Sequence, residues 1–560
     1  MQGPSIVVGI DFGTTFSGVA WALEGSIDDI EVLTSWPGAG NRTSVKVPST
    51  ITYNGEDIQW GYQIGPLSEA CRGIKLLLDE DQETSYAYAP SLASKTLLEK
   101  HGKNAVQVAG DYMSQLMRQV AELIQRRLGL TGDDGAIQFV LTVPAVWSDK
   151  AKDATLRAAI MAGAPAQGIS LVSEPEAAAL YALRAIQPCL IARNDVFIVC
   201  DAGGGTVDLI SYMVKELDPL RVMEATKGTG RICGSMLLDT RFEELLRDKM
   251  GAENYDALPT KSKEAALLHW RDRVKPLFAG KFDEDDFSDV PTYIPIPGAK
   301  DDPDVPIEDG FFELMTDETA AIFDPIVRDV GDLVDEQIAA LDKVGFCSPT
   351  ILLVGGFGAS EYLFRRLQEA RPSVKVLQPP NSWSAVVSGA VLHGLESHSV
   401  ESRVARRNYG VTFRPQWDPE RHAEEDKQWS ALEEKHFSRH IECQWYIRKH
   451  SKIAESEPIR MDFYRAVRVS KRPALTFRQF LYFCNDDEAP SMDSERVIKS
   501  CQLEADLHDI PRELFQKKTN SKGDEYWEIP FTLTMTPGSA CLLFELEFNG
   551  VLYGSVTTKY

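Results

Sequence analysis

Two aspartates, Asp11 and Asp201, each end an apolar run and open a turn of glycine and threonine. The first stretch reads Val8-Gly-Ile-Asp-Phe-Gly-Thr-Thr15 and the second Val199-Cys-Asp-Ala-Gly-Gly-Gly-Thr-Val-Asp208. Glycines let backbone N–H groups approach phosphate oxygens, threonine hydroxyls add donors, and carboxylates orient water around a magnesium ion. One Asp-x-Gly-Thr alone reads equally as a turn or helix cap. Two of them, one with three consecutive glycines whose ordering costs more backbone entropy than a plain turn requires, favour two half-sites closing on one triphosphate. Gly13, Thr14, Thr15, Gly203, Gly204, Gly205 and Thr206 are then the candidate phosphate contacts, with Asp11 and Asp201 as candidate metal anchors.

Other residues join this set with alternatives open. Glu174, before Pro175, could position an attacking water or enter a metal shell; it also reads as a helix N-terminal charge, worth about 0.3–1 kcal/mol. Gly355 and Gly356, in Gly-Gly-Phe-Gly358, follow an apolar run and would let an adenine or ribose lie against backbone, although many strand–helix units turn this way. Lys75 is the early lysine best placed for charge stabilisation, and an exposed surface lysine is the competing reading. No Gly-x-x-x-x-Gly-Lys-Ser/Thr loop occurs, and Thr14-Thr15 replaces the close-packed glycines of a dinucleotide fingerprint. The nine histidines form no metal-ligand spacing.

These residues need a scaffold of strands that exit into turns. The pattern predicts a strand pair over 6–23, a hairpin through Asn54-Gly55, a helix over 105–128 stopped by Gly129, a strand over 137–143 and a helix over 149–161. A strand at 169–172 leads into a helix over 176–185, and 196–199 into the second glycine turn. Helices follow at 236–249 and 260–278, then an acidic, proline-bearing excursion from Asp283 to Asp309, a helix from Phe311 to Leu341, a strand at 351–354 and helices at 360–369 and 382–395. The alternation implies α/β layers over 1–398. Residues 399–413 read as a linker entering a strand over Val404 to Phe413, with Arg403, Arg406 and Arg407 on a solvated face, and 414–560 as a mainly β domain of short alternating strands with no long helix.

At 560 residues the chain exceeds the size of one growing core. A net charge of −24 argues against general nucleic-acid binding, while leaving room for one basic pocket. Nine scattered cysteines without paired spacing suggest reduced thiols in a cytoplasmic or nuclear protein. Neither a cleavable leader nor an apolar run of membrane-spanning length is evident, so no membrane insertion is expected.

In this order the motifs resemble the seventy-kilodalton heat-shock chaperone family, in its divergent branch of large cytosolic relatives. Ile10-Asp-Phe-Gly-Thr-Thr15 resembles the first phosphate motif, Asp201 to Asp208 the second, Glu174-Pro-Glu-Ala-Ala-Ala179 the first connecting segment and Val354-Gly-Gly-Phe-Gly-Ala-Ser360 the adenosine motif. Val143-Pro-Ala-Val-Trp147 resembles the strand exit before that segment. The resemblance covers residues 5–398 and implies an actin-like, two-lobed ATPase with ATP or ADP and Mg2+ in the central cleft. It would make Lys75 the catalytic lysine, let Glu174 and Asp208 place water or metal, and set Asp272 and Lys275 as an acid–lysine pair near adenine. Protein or peptide clients and a nucleotide-exchange partner are implied as well. The linker His398 to Arg407 lacks the family's acidic, leucine-bearing pattern, and the helical lid and acidic tail have no counterpart. Two further classes stay open: a nucleotide-gated binding module with little turnover, and a small-molecule kinase on the same lobes.

Overall fold

A computed structural model of the chain describes every residue except 1–4, 56, 80–88, 130–136, 167, 187–190, 282–290, 302–304, 347–348, 397–399, 455–456, 471–472, 491–494, 539–541 and 560. The chain divides into two compact units, Met1–Ser399 and Val400–Tyr560.

The first unit is built on one strand plan used twice. In one sheet, Ile6–Asp11 pairs antiparallel with Phe16–Leu23 and parallel with Ile137–Val143, which pairs parallel with Ile169–Ser173. In the other, Val196–Ala202 pairs antiparallel with Val207–Leu217 and parallel with Thr350–Val354, which pairs parallel with Val376–Leu377. The leading strand lies in the middle of each, buried throughout in the first and nearly so in the second. Continuous apolar runs such as Ile6-Val-Val-Gly-Ile10 are what a strand covered on both faces requires. Each ends at its aspartate, where the antiparallel hairpin reverses the chain.

Two helices, Glu174–Ile186 and Ala385–Leu395, pack closely between these layers. A Cβ on Gly389 would stand 1.7 Å from the Ala177 carbonyl oxygen, so glycine sets their approach. The expected helix over 105–128 is Ala105–Leu128, started by a reciprocal cap between Asn104 and Gln107 and ended by Gly129 at φ 68°.

Three expectations in this unit need correction. The helix over 260–278 is interrupted: Thr260–His269 is α-helical, Trp270–Val274 a π turn and Lys275–Leu277 α-helical. Pro276 lacks the N–H that would bond back along the helix, which accounts for the widened turn before it. The acidic excursion, of which 282–290 and 302–304 lie outside the described residues, is not wholly solvated. Thr292–Pro295 and Ile307–Glu308 pair with Phe311–Leu314, burying Ile294, Ile307, Phe312 and Leu314. Phe311–Leu314 is therefore strand, because Phe312 and Leu314 alternate inward, and the long helix is Thr316–Lys343.

The second unit is a β structure whose described residues hold no helix beyond two short 3-10 turns. Thr476–Cys484 pairs with Asn408–Phe413 and Ile498–Asp506, while Glu525–Pro537 pairs with Ile459–Arg468 and Leu542–Phe548. Phe477, Leu481 and Leu503 of one sheet share a core with Phe531, Leu533, Phe544 and Leu546 of the other. The stretch 399–413 is not a free linker, apart from Ser399 lying outside the described residues. Val400–Val404 pairs with Lys452–Ala454, Asn408–Phe413 pairs on both edges, and Arg407 covers the Phe483 ring at 4.5 Å. Apolar Tyr409 and Val411 find partners through these distant pairings.

Candidate functional site

The two aspartate turns meet. A Cβ on Gly204 would fall 2.0 Å from Thr15 Oγ1, and one on Gly205 would fall 2.4 Å from Thr14 Oγ1. Two glycines therefore let the turn of one sheet close against the threonine pair of the other. The glycine run is held from behind, since the N–H groups of Gly234, Ser235 and Met236 donate to the carbonyls of Gly205, Gly203 and Gly204 at 2.9–3.1 Å. Gly203 N–H donates to the Thr206 carbonyl at 3.0 Å, closing the turn. Gly13 is as constrained: a Cβ there would stand 2.0 Å from the Phe16 carbonyl oxygen.

The third glycine exit docks on the second. Phe357 and Gly358 both donate backbone N–H to the Ala202 carbonyl, at 2.8 and 3.0 Å. Gly355 lies at φ 88°, and a Cβ on it would meet Asp201 Oδ1 at 2.4 Å. Gly356 faces the ring of Trp383, which is 40% exposed and stands edge-on to Phe16 at 6.3 Å.

Four carboxylates, Asp11, Glu174, Asp201 and Asp208, are buried around this junction with two buried lysines. Lys75 donates to Glu174 Oε1 and its ammonium lies 5.7 Å from the Trp147 ring centroid, so it is not a surface lysine. Glu174 does open the Glu174–Ile186 helix, but its partner is Lys75. Lys46 donates to Asp11 Oδ2 at 2.8 Å, and Thr142 Oγ1 donates to Asp11 Oδ1 at 3.0 Å.

The electrostatics divide accordingly. Burial pushes Asp201 well above the usual carboxylate range, reinforced by Glu174, Asp11 and Asp208. Burial also raises Glu174, to about 7, with Lys75 opposing and Asp208 and Asp11 adding to the rise. For Asp11 the burial cost is outweighed by Lys46 and Lys75, and its pKa stays below the ordinary value. Burial disfavours the Lys46 ammonium, but Asp11 prevails and raises its pKa.

One expected pair is not formed as expected. Lys275 donates to Asp239 Oδ1 at 2.7 Å, and Asp239 also accepts from Trp270 and Arg271 at 3.0 and 2.9 Å. Asp272 instead meets Arg42 at 3.2 Å, with both side chains largely exposed. The π turn accounts for this, because it rotates Asp272 away from the face that carries Lys275. Lys275 still lies near the glycine run, 3.5 Å from the Ser235 carbonyl.

Four contributors escaped the sequence: Lys46, Thr142, Asp239 and Trp383. Thr142 could have been found, since it sits beside Asp11's strand and near its end. Lys46 carries no local motif.

An all-oxygen donor set suits a magnesium ion. Among the described residues, however, no three acidic, histidine or cysteine side chains converge tightly enough to hold a bare cation. The carboxylates fit an ion held through water and phosphate, as magnesium usually is when it retains part of its hydration shell.

The profile of the family described as Hsp70 protein matches residues 7–275, the span containing both aspartate turns. Human heat shock 70 kDa protein 12A is 24% identical over 500 residues, covering 72% of each chain. Human heat shock 70 kDa protein 12B is 24% identical over 511 residues, 75% of this chain and 73% of its own. A chaperone protein HscA homolog from Vibrio vulnificus is 30% identical over 217 residues, 36% of this chain and 31% of its own. With the duplicated strand plan and converging glycine turns, these matches support a divergent Hsp70 family member with an actin-like ATPase fold over the matched region and a mainly β C-terminal region.

Proposed function

We propose that the chain binds ATP and ADP with magnesium at the junction of its two aspartate turns and hydrolyses ATP slowly as part of a chaperone-like cycle. The observation that carries this reading is the contact of Gly204 and Gly205 with Thr15 and Thr14, ringed by buried carboxylates and lysines. Backbone amides and hydroxyls at that contact would hold phosphate oxygens. Magnesium, when bound, would neutralise phosphate charge, with Asp11 and Asp201 holding its waters. Lys75 would stabilise charge on the transferring phosphoryl group, and Glu174 and Asp208 would orient the attacking water. A carboxyl near pKa 7 suits a group that accepts a proton at neutral pH.

The test is calorimetric titration with ADP and ATP followed by single-turnover hydrolysis. Wild type should bind both, and Asp201→Asn should lose at least tenfold in affinity or hydrolysis; unchanged values for both would reject the assignment. A second reading, a nucleotide-gated module with little turnover, is favoured by one feature: Lys46 engages the very carboxylate assigned to metal water. Binding without measurable single-turnover hydrolysis would select it. Protein or peptide clients, a nucleotide-exchange partner and a cytoplasmic or nuclear location complete the proposal. The location is supported by the free thiols Cys71, Cys200, Cys233, Cys443 and Cys484. No helix among the described residues is long and apolar enough to cross a membrane.

A further inference from the structure

Lys46 reaches the site through a pairing that is distant in sequence. Val47 and Pro48 pair antiparallel with Ser17 and Phe16, the first residues after the Thr14-Thr15 turn. That register hangs Lys46 beside the exit of the leading strand. Its stem passes Gly18, where a Cβ would lie 3.6 Å from Lys46 Cγ. Its carbonyl accepts from Ser44 Oγ at 2.7 Å and from Tyr62 Oη at 3.0 Å, fixing the backbone on both sides. The residue is only 8% exposed.

A buried ammonium held this way is expensive unless it serves the site, because one carboxylate seldom repays the loss of water around both charges. We infer that Lys46 is a resident cation of the phosphate site, bridging Asp11 and the polyphosphate of a bound nucleotide and supplying part of the positive charge otherwise brought by magnesium. The inference rests on the nucleotide-binding reading above. An ammonium has three N–H donors and Asp11 Oδ2 takes one, so the same group can serve a carboxylate and phosphate oxygens. Asp201 and Glu174 also lie close enough to stabilise the Lys46 charge, which places it within the carboxylate ring.

Calorimetry of the full chain with ADP, in excess magnesium and in chelator, separates the possibilities. Wild type should lose less than about tenfold in affinity without magnesium. Lys46→Met should lose a further tenfold or more in chelator and recover most of it in magnesium, while Lys46→Arg, which keeps the charge, should stay near wild type. A wild-type loss above a hundredfold overturns the inference, as does an unchanged magnesium-to-chelator ratio in Lys46→Met. So does tighter binding by Lys46→Met in both conditions, which would make Lys46 a plug. Should Lys46→Met fail to fold, the wild-type ratio and Lys46→Arg still decide. No ADP binding by wild type in either condition rejects the nucleotide reading itself and this inference with it.

Discussion

The two leading strands share a plan and differ in charge. Ile6–Asp11 and Val196–Ala202 each pair antiparallel with the next strand and parallel with a later one, and each delivers an aspartate to the same junction. Asp11 meets Lys46 and Thr142, and its carboxyl is held down; Asp201 meets other carboxylates, and its carboxyl is pushed up. Backbone topology thus fixes where an aspartate arrives, while the segment laid alongside fixes what it can do. One half of the junction pairs its aspartate with a lysine, and the other sets its aspartate among acidic neighbours.

The largest expected effect tests this asymmetry through opposite signs. Asp11→Asn leaves the Lys46 ammonium buried without its carboxylate and should cost about 3–5 kcal/mol in chemical denaturation, the usual cost of breaking a buried pair. Asp201→Asn removes a carboxyl whose ionisation is opposed by burial and by its acidic neighbours, and should raise the unfolding midpoint of the nucleotide-free protein. Equal destabilisation by the two substitutions would erase the distinction.

Glycines sharpen the contrast next. The Cβ of Gly13→Ala would press on a backbone oxygen of its own turn, while that of Gly204→Ala would press on the Thr15 side chain across the junction. Backbone yields less readily than a hydroxyl rotor, so Gly13→Ala should cost about 1–3 kcal/mol in stability. Gly204→Ala should cost less stability and lower ADP affinity at least tenfold. The reverse order, read by melting and calorimetry, would mean that the turns do not close as described.

Acidity gives a smaller, graded effect. Glu174 in the folded chain keeps its proton up to about pH 7, whereas an unfolded glutamate releases it near about 4.3. Between those values the native state binds more protons, so stability falls as pH rises, by up to about 1.4 kcal/mol per unit. Asp201 is raised too and acts in the same direction. Glu174→Gln should therefore flatten the pH slope of the unfolding midpoint between about pH 5 and 7 without abolishing it. A slope identical to wild type would remove Glu174 from the raised group.

Much of this was legible because it is local. Apolar runs ending at Asp11 and Asp201, the cap of Asn104 and Gln107, and the glycine stop at Gly129 all act within a few residues, and the strands and helix stand where those signals put them. The Gly204–Thr15 approach was foreshadowed by composition, since three glycines in a row imply something pressing on them. What was hidden depends on pairing at a distance. Lys46 becomes part of the site only through the register of Val47 with Ser17, and Phe311–Leu314 becomes strand only beside Thr292–Pro295. Val400–Val404 ceases to be linker only because Lys452–Ala454 lies next to it. Spacing cannot show which of several acids a lysine will choose, which is why Asp239 stood unnoticed behind Asp272.

That last substitution of partners yields the smallest prediction. Asp272 and Arg42 have side chains 44% and 59% exposed, so the pair is screened by water and salt. Asp272→Asn should change stability by less than about 0.5 kcal/mol and leave ADP affinity within about twofold. The buried Asp239 is different, because it joins Lys275, Arg271 and Trp270 beneath the start of the Met236–Met250 helix, against the glycine run. If Asp272→Asn weakened ADP binding tenfold while Asp239→Asn folded and bound normally, the adenine side of the junction would belong to the exposed acid after all, and the π turn before Pro276 would have been assigned the wrong consequence.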